Sequence, residues 1–347
     1  MLSVVVPNYN HGRYLGAALR ALLDQSRPPL EIIVVDDGST DESCAIVERL
    51  SARHPSVRLI RQERRRGVNA ALNRGLGEAR GEYVCFPAAD DLVTRDFVSR
   101  SLEILARYPA ASLCFSDLGV MRGDSGVVQR FPLFLSAQAC FLVPADMERV
   151  LKRNYFNFPS HSIIYRRGAL LEVGGFPEDL RWLADWFVNY VLALRHGACY
   201  VPEILAFFRI STGSYSALGP RQGAVQRQLI YRAVELFQSQ EFRDVARSVR
   251  ECAVVPEFSV RLLCWLLASP RHRQHLTARL AKRLLLRSAW SVLARGMPMP
   301  IRHGIRWLAG IPIRQRTAGR SRRGREGAGV GPTAIDSAAR GRQTGSR

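Results

Sequence analysis

Two hydrophobic periods alternate along the first hundred positions. Leu2 to Val6 is a short, unbroken apolar run, the mark of a strand covered on both faces. Tyr14 to Leu23 then sets Leu15, Leu19, Leu22 and Leu23 on one face of a helix. Glu31 to Val35 predicts a second strand, Val57 to Arg61 a third and Tyr83 to Phe86 a fourth. Between them lie a helix carrying Ile46, Val47 and Leu50, for which Ser39 and Thr40 are the expected N-caps, and a helix over Ala70 to Ala79. Strands separated by such helices imply right-handed crossovers and a mainly parallel, Rossmann-like sheet flanked by helices. Ligands of these α/β sheets bind beyond the carboxyl ends of the strands. Three of those ends carry Asn8-Tyr9-Asn10, Asp36-Asp37 and Asp90-Asp91.

The pattern is less regular farther on. Ser112 to Phe115 predicts a strand, and the run from there to about Ala145 matches neither period. Ser162 to Tyr165 predicts another strand, followed by a short helix that Gly174-Gly175 ends and a helix from Leu183 to His196 that Gly197 ends. Beyond Pro220 the spacing is helical to about Ala309, and from Gly319 the chain is rich in Gly, Arg, Ser and Thr with little to bury. The expected organisation is an α/β domain over 1–215, divided near 115 into nucleotide and acceptor halves. A helical basic region over 221–313 and a disordered Arg/Gly-rich tail over 314–347 follow it.

Composition changes this picture in one respect. The 347 residues are 47% hydrophobic, enough for a large core, and their formal charge of +20 suggests an acidic partner. The excess is local, because Phe258 to Arg325 holds sixteen Lys and Arg and no Asp or Glu. In that stretch Leu262, Leu263, Trp265, Leu266, Leu284, Leu285, Trp290, Leu293 and Trp307 alternate with arginines. Two readings stay open: helices lying on an anionic membrane surface, or helices packed on the main domain with their arginines in solvent. Nucleic acid is not expected, since the Arg-rich tail lacks interleaved aromatics and a recognition fold. The seven cysteines are scattered without close pairs and read as reduced core residues. Neither a secretory signal nor an apolar run of about 18 to 20 residues is found, so the expected location is the cytoplasm, with peripheral contact at the inner face of the cell membrane.

Carboxylates at neighbouring strand ends face one cleft. A pair such as Asp90-Asp91 can hold a hard divalent cation whose shell diphosphate oxygens complete. Taken singly, each acidic turn is as well explained by helix capping. Together, Ser3 to Asn10, Val34 to Asp41, Gly67 to Gly75, Gly81 to Val84 and the acidic turn at Asp90 resemble, in order, the motifs of glycosyltransferase family 2, whose members share the GT-A fold.

The resemblance spans about residues 1–215 and implies an inverting transfer of sugar from a nucleotide-sugar donor, UDP-linked by default, to a glycan or lipid-linked acceptor in bacterial surface polysaccharide or glycolipid synthesis. It places Pro7, Asn8, Tyr9, Asp36, Asp37 and Asn73 against the nucleotide, with Asp37 on the base, and Arg209 against the diphosphate. It assigns Asp90 and Asp91 to a divalent cation, Mg2+ or Mn2+. Ala88 stands where the family's metal motif commonly has its first Asp, which weakens that site. The acidic motif after the glycine pair reads Ala184-Asp185, making Asp185 the expected general base, with Asp179 in reserve. Ser214-Tyr215-Ser216 resembles a closing element over the donor. The losses at Ala88 and Ala184 keep a second reading alive, a degenerate homologue that binds without transferring.

Overall fold

The computed structural model describes residues 1–123, 128–210, 223–256 and 260–293. Its main sheet contains β1 (Leu2–Asn8), β2 (Glu31–Asp36), β3 (Val57–Arg61), β4 (Tyr83–Cys85), β6 (Leu113–Ser116), β9 (Cys140–Leu142), β10 (Ile164–Arg166) and β11 (Ala198–Val201), in the order β3-β2-β1-β4-β10-β6-β11-β9. The β3–β2, β2–β1, β1–β4 and β6–β11 pairings are parallel. Only β10, against β4 and β6, and β9, against β11, run the other way.

The apolar run of β1 is unbroken because both of its faces are covered. Val4 and Val6 join Leu15, Leu19 and Leu22 of α1 (Gly12–Leu23), Val47 of α2 (Ser43–Ser51) and Val98, Leu102 and Leu105 of α4 (Phe97–Arg107). Val5 looks the opposite way, onto Ala71, Leu72 and Leu76 of α3 (Val68–Glu78). The chain thus winds from β1 to β3 on one side, crosses the other face through α3, and lays β4 on the free edge of β1. That reversal opens a crevice between the carboxyl ends of β1 and β4, where open α/β sheets bind ligands.

The stretch that matched neither period builds most of a second sheet, β5 (Leu92–Val93), β12 (Ala206–Ile210), β7 (Leu118–Arg122) and β8 (Val128–Phe131), in that order. Helices α5 (Pro144–Arg153), α6 (Arg167–Glu172) and α7 (Ala184–His196) follow, and Gly197 ends α7 at φ 78. Next come α8 (Gly223–Gln238), α9 (Arg243–Glu251), α10 (Val260–Ala268) and α11 (Ala278–Leu293). Their buried faces continue the core of the main domain. The Phe187 ring of α7 lies 4.5 Å from Phe237 and 5.0 Å from Phe242, and Leu262, Leu266, Leu280 and Leu284 are buried in the same cluster. No helix among the described residues is long and apolar enough to cross a membrane. Ser214-Tyr215-Ser216, the side chains of Trp290 and Leu293, Trp307 and the tail from 314 to 347 lie outside the described residues.

Some of the basic charge in these helices is structural. Arg283 of α11 donates to the carbonyls of Leu151, Lys152 and Cys252, at the ends of α5 and α9, and Arg279 donates to Lys152 at 3.0 Å. Helix ends leave carbonyls without intrahelical partners, and these arginines supply the missing donors. Of the cysteines, Cys85, Cys114, Cys199 and Cys252 are buried, but Cys264 on α10 is exposed.

Two asparagines on α3 tie the halves of the domain together. Asn73 donates to the Phe176 carbonyl and accepts from the Phe176 N–H, both at 2.8 Å. Asn69 donates to the Arg181 carbonyl at 2.8 Å and that of Pro177 at 3.3 Å. Gly175 adopts φ +74, and a Cβ there would fall 2.6 Å from Asn73 Oδ1. Gly175→Ala should therefore lower stability by about 1–3 kcal/mol in urea unfolding, through left-handed strain and loss of this pairing. Combined with Asn73→Ala, it should cost clearly less than the sum of the two single changes, because both break the same contact.

Candidate active site

The first two strand ends are knitted by side chains. Asn8 Nδ2 donates to Asp36 Oδ2 at 2.8 Å and Ser39 Oγ at 3.1 Å, and the Ser39 N–H donates to Asp36 Oδ1 at 2.9 Å. Asn10, at φ 54, donates its N–H to Ser39 Oγ and accepts from Thr40 N through Oδ1 at 2.8 Å. Ser39 and Thr40 are thus spent on the turn and do not cap α2. Asp41 does that work, accepting from Ser43 N at 3.0 Å and from Gly12 N, at the start of α1, at 2.8 Å. Burial raises the pKa of Asp36, but the bonds from Ser39 and Asn8 outweigh it and hold the carboxyl below its ordinary range. Asn8 Oδ1 is buried without a hydrogen-bond partner, an open acceptor beside the crevice.

Asp37 faces the β3–α3 loop. Its Oδ1 accepts from Gln62 Nε2 at 3.0 Å and Arg66 N at 2.6 Å, and its Oδ2 from Gly67 N at 2.8 Å. The same loop lays the Arg65 guanidinium 4.0 Å from the centre of the Tyr9 ring. Pro7 stands opposite Val35 at the end of β1, where its missing N–H interrupts little of the ladder. Asn73, expected against the nucleotide, has its amide engaged on both sides by Phe176, so its role in this structure is to anchor the glycine pair.

Beyond β4, the two acidic residues part company. Asp91 is buried, and its Oδ1 accepts from Arg209 N of β12 at 2.9 Å. Burial, with the neighbouring Asp90 charge adding to it, holds the Asp91 carboxyl well above its ordinary range against the pull of Arg209. One oxygen of Asp91, expected beside Asp90 on a cation, is thus taken up by β12. Arg209, expected against the diphosphate, is bound to the same loop. Its Nε donates to the Asp90 carbonyl at 2.8 Å, its Nη1 to Gly123 O at 2.5 Å, and its guanidinium lies 4.5 Å from the Tyr14 ring. Asp90 keeps its carboxylate at the crevice, with His11 Nδ1 3.8 Å from Oδ1. Among the described residues no three His, Cys, Asp or Glu side chains converge as a metal site.

Asp185 lies in the first turn of α7, its Oδ1 accepting from Trp186 N at 2.7 Å. Burial pushes its carboxyl above the ordinary range, partly opposed by hydrogen bonds from Ser160 and Trp186 N. Ser160 in turn accepts from Asn189 Nδ2 at 3.1 Å, and Asn189 Oδ1 from Tyr165 OH at 2.7 Å. Ser160 precedes β10, whose Ile164 pairs with Cys85 at the carboxyl end of β4. Arg181, four residues earlier, sits at φ 48 and ψ −120, a conformation that persists only where surroundings enforce it; Asn69 supplies part of that enforcement. Asp179, the reserve base, is ion-paired with Arg232 of α8 at 2.6 Å. His161 is neutral, its pKa drawn down to about 4 by burial, and its ring lies 6.0 Å from Phe208. Sequence reasoning gave no role to His11, Asn69, Ser160 or Asn189. Each acts through a contact distant in the chain, and no local spacing announces it.

The chain matches the model of Glycosyl transferase family 2 over residues 3–174. It is 30% identical over 191 residues to a "PGL/p-HBAD biosynthesis glycosyltransferase" of Mycobacterium bovis, covering 54% of this chain and 68% of that protein. Across other relatives it spans from 33% to 88% of their length. A mannosyltransferase of Pyrobaculum calidifontis, solved in complex with GDP-Man and Mn2+, superposes with a TM-score of 0.56 at 23% identity, over 89% of this chain and 84% of that one. Residues 1–349 of S. aureus TarS, solved with UDP-GlcNAc, give a TM-score of 0.55 at 21% identity, over 73% of this chain and 70% of that one. At these identities the two structures bear on the fold, which they share. With the family motifs in order along β1 to β4 and the mycobacterial relative matched over two thirds of its length, the chain belongs to glycosyltransferase family 2 and is a transferase of the GT-A fold.

Proposed function

We propose that this glycosyltransferase acts with inversion, taking a sugar from a nucleoside diphosphate, UDP by default, to an acceptor hydroxyl of a bacterial surface polysaccharide or glycolipid. The observation that carries the reading is a carboxylate on each half of the domain, Asp90 after β4 and Asp185 at the start of α7, where Ser160 and Trp186 N hydrogen-bond to it. Asp185 takes the acceptor proton as the acceptor oxygen bonds to the anomeric carbon and the bond to the diphosphate breaks, its electron pair leaving with the diphosphate. Asn8 Oδ1 offers an acceptor to the nucleotide, and Tyr9, stacked by Arg65, offers a flat wall. Asp90 fits a divalent cation, Mg2+ or Mn2+, which when bound neutralises charge on the departing diphosphate. The GDP-Man and Mn2+ of the Pyrobaculum mannosyltransferase and the UDP-GlcNAc of TarS support a nucleotide-sugar donor.

Leu267, Leu285 and Leu286 are exposed on α10 and α11 among arginines. They support a peripheral position at the inner face of the cytoplasmic membrane, beside a lipid-linked acceptor. The domain limits follow the same reading, with catalysis over 1–215 and the basic region over 221–313 as the membrane-facing part. Replacing the three leucines by Ser should sharply reduce sedimentation with anionic liposomes. Equal sedimentation would remove the membrane from this reading.

Thermal unfolding with UDP, GDP, CDP and dTDP, each with and without Mn2+, tests the donor. The matching nucleotide at about a hundred times its Kd should stabilise the fold by roughly 2.7 kcal/mol, and only when metal is present. Asp185→Asn should reduce transfer by about 10²- to 10⁴-fold. Undiminished transfer would dismiss Asp185 as the base. Nucleotide binding without any transfer by the unaltered protein would favour the degenerate homologue that Ala88 and Ala184 suggest.

The raised pKa of Asp185 also has a stability signature. Its protonated form is favoured by the fold, so that contribution is complete below the unfolded pKa and is lost as pH rises through the folded one. Asp185→Asn should therefore melt higher than the unaltered protein at neutral pH, and the gap should close as pH falls into the ordinary carboxylate range. The acid limb of kcat/KM should likewise lie above that range.

A further inference from the structure

We propose that His11 supplies the protein ligand that Ala88 withholds, its Nδ1 and Asp90 Oδ1 together holding the divalent cation; the inference rests on the reading of Asp90 as a metal ligand. With Asp91 committed to β12, Asp90 is the carboxylate of this loop that remains at the crevice. One carboxylate is a meagre anchor for a cation. His11 Nδ1 is buried and has no hydrogen-bond partner, and it lies 3.8 Å from Asp90 Oδ1. That separation exceeds a hydrogen bond. It suits two atoms bound to one cation, which at about 2.1 Å each from the ion stand between roughly 3.0 Å and 4.2 Å apart, according to the angle between them.

The ring has no other work in view. His11 precedes α1 as its N-cap, yet its side chain makes no cap bond, and Asp41 Oδ2 accepts from the Gly12 N–H. Its position is nonetheless fixed. The His11 carbonyl accepts from Tyr14 N and Leu15 N, both at 2.9 Å, and the preceding Asn10 is pinned to Ser39 and Thr40. A ligand presented from a rigid element at one strand end meets a carboxylate presented from the next, with the remaining positions left to diphosphate oxygens and water. Imidazole in the shell should also shift preference from Mg2+ toward softer divalent ions such as Mn2+ and Co2+.

Pulsed EPR of the full chain with Mn2+ and UDP, repeated with GDP, reads this directly. The unaltered protein should show coupling to a nitrogen bound to manganese, altered by ¹⁵N-histidine labelling and missing in His11→Gln. His11→Ala should weaken Mn2+ binding by at least about tenfold while leaving the metal-free unfolding midpoint in place. Manganese bound with no nitrogen coupling, lost in Asp90→Asn but unchanged in His11→Ala, would overturn the role of His11 and leave the metal reading standing. Failure of the unaltered protein to bind Mn2+ with either nucleotide would overturn both.

Discussion

Asn69 and Asn73, one helical turn apart on α3, hold the two halves of the catalytic domain in register. α3 is fixed to the sheet by packing on Val5 and Val35, and the glycine pair and the turn before α7 are fixed to α3 by side-chain amides. Those bonds join donor side to acceptor side beside the β4–β10 pairing of the main sheet. Sugar transfer needs that stiffness, because reacting groups displaced by about 1 Å can cost two orders of magnitude in rate. Main-chain groups accept or donate at each contact, so the register survives many changes of neighbouring side chains but few changes at the two asparagines.

The part of the fold legible in the sequence is the part with a strong period. Buried parallel strands and amphipathic helices advertise themselves, and β1 to β4 with α1 to α3 stand where Leu2 to Ala79 and Tyr83 to Phe86 predict them. The second sheet was hidden because its strands run from two to five residues and β8 alternates exposed with half-buried positions instead of carrying an apolar face. The helix α4 had a readable signal in Phe97, Val98, Leu102, Ile104 and Leu105, all buried. The candidate site was legible as a set of strand ends. Which carboxylate faces the crevice was not, because Asp90 and Asp91 differ only in what β12 brings up against them, more than a hundred residues later.

The charge asymmetry also divides on inspection. Part of the arginine excess in the C-terminal helices is turned inward to satisfy helix ends, and Arg195 of α7 makes a bidentate pair with Asp244 of α9 at 2.7 and 2.8 Å. Charge counted from sequence therefore overstates what this region offers to an anionic surface. Leu267, Leu285 and Leu286 remain exposed on these helices.

Arg283 gives the C-terminal helices a further meaning. Three carbonyls from two other helices converge on one guanidinium that lies near the Tyr155 ring. Strip it away and the carbonyls of Leu151 and Cys252 lose these donors, leaving Lys152 with Arg279. Evolution is consequently not at liberty to treat the helical region as an interchangeable cassette. A descendant that traded it for a different helical region would have to re-solve the hydrogen bonding of α5 and α9 in the same step, which ties that region to the fold.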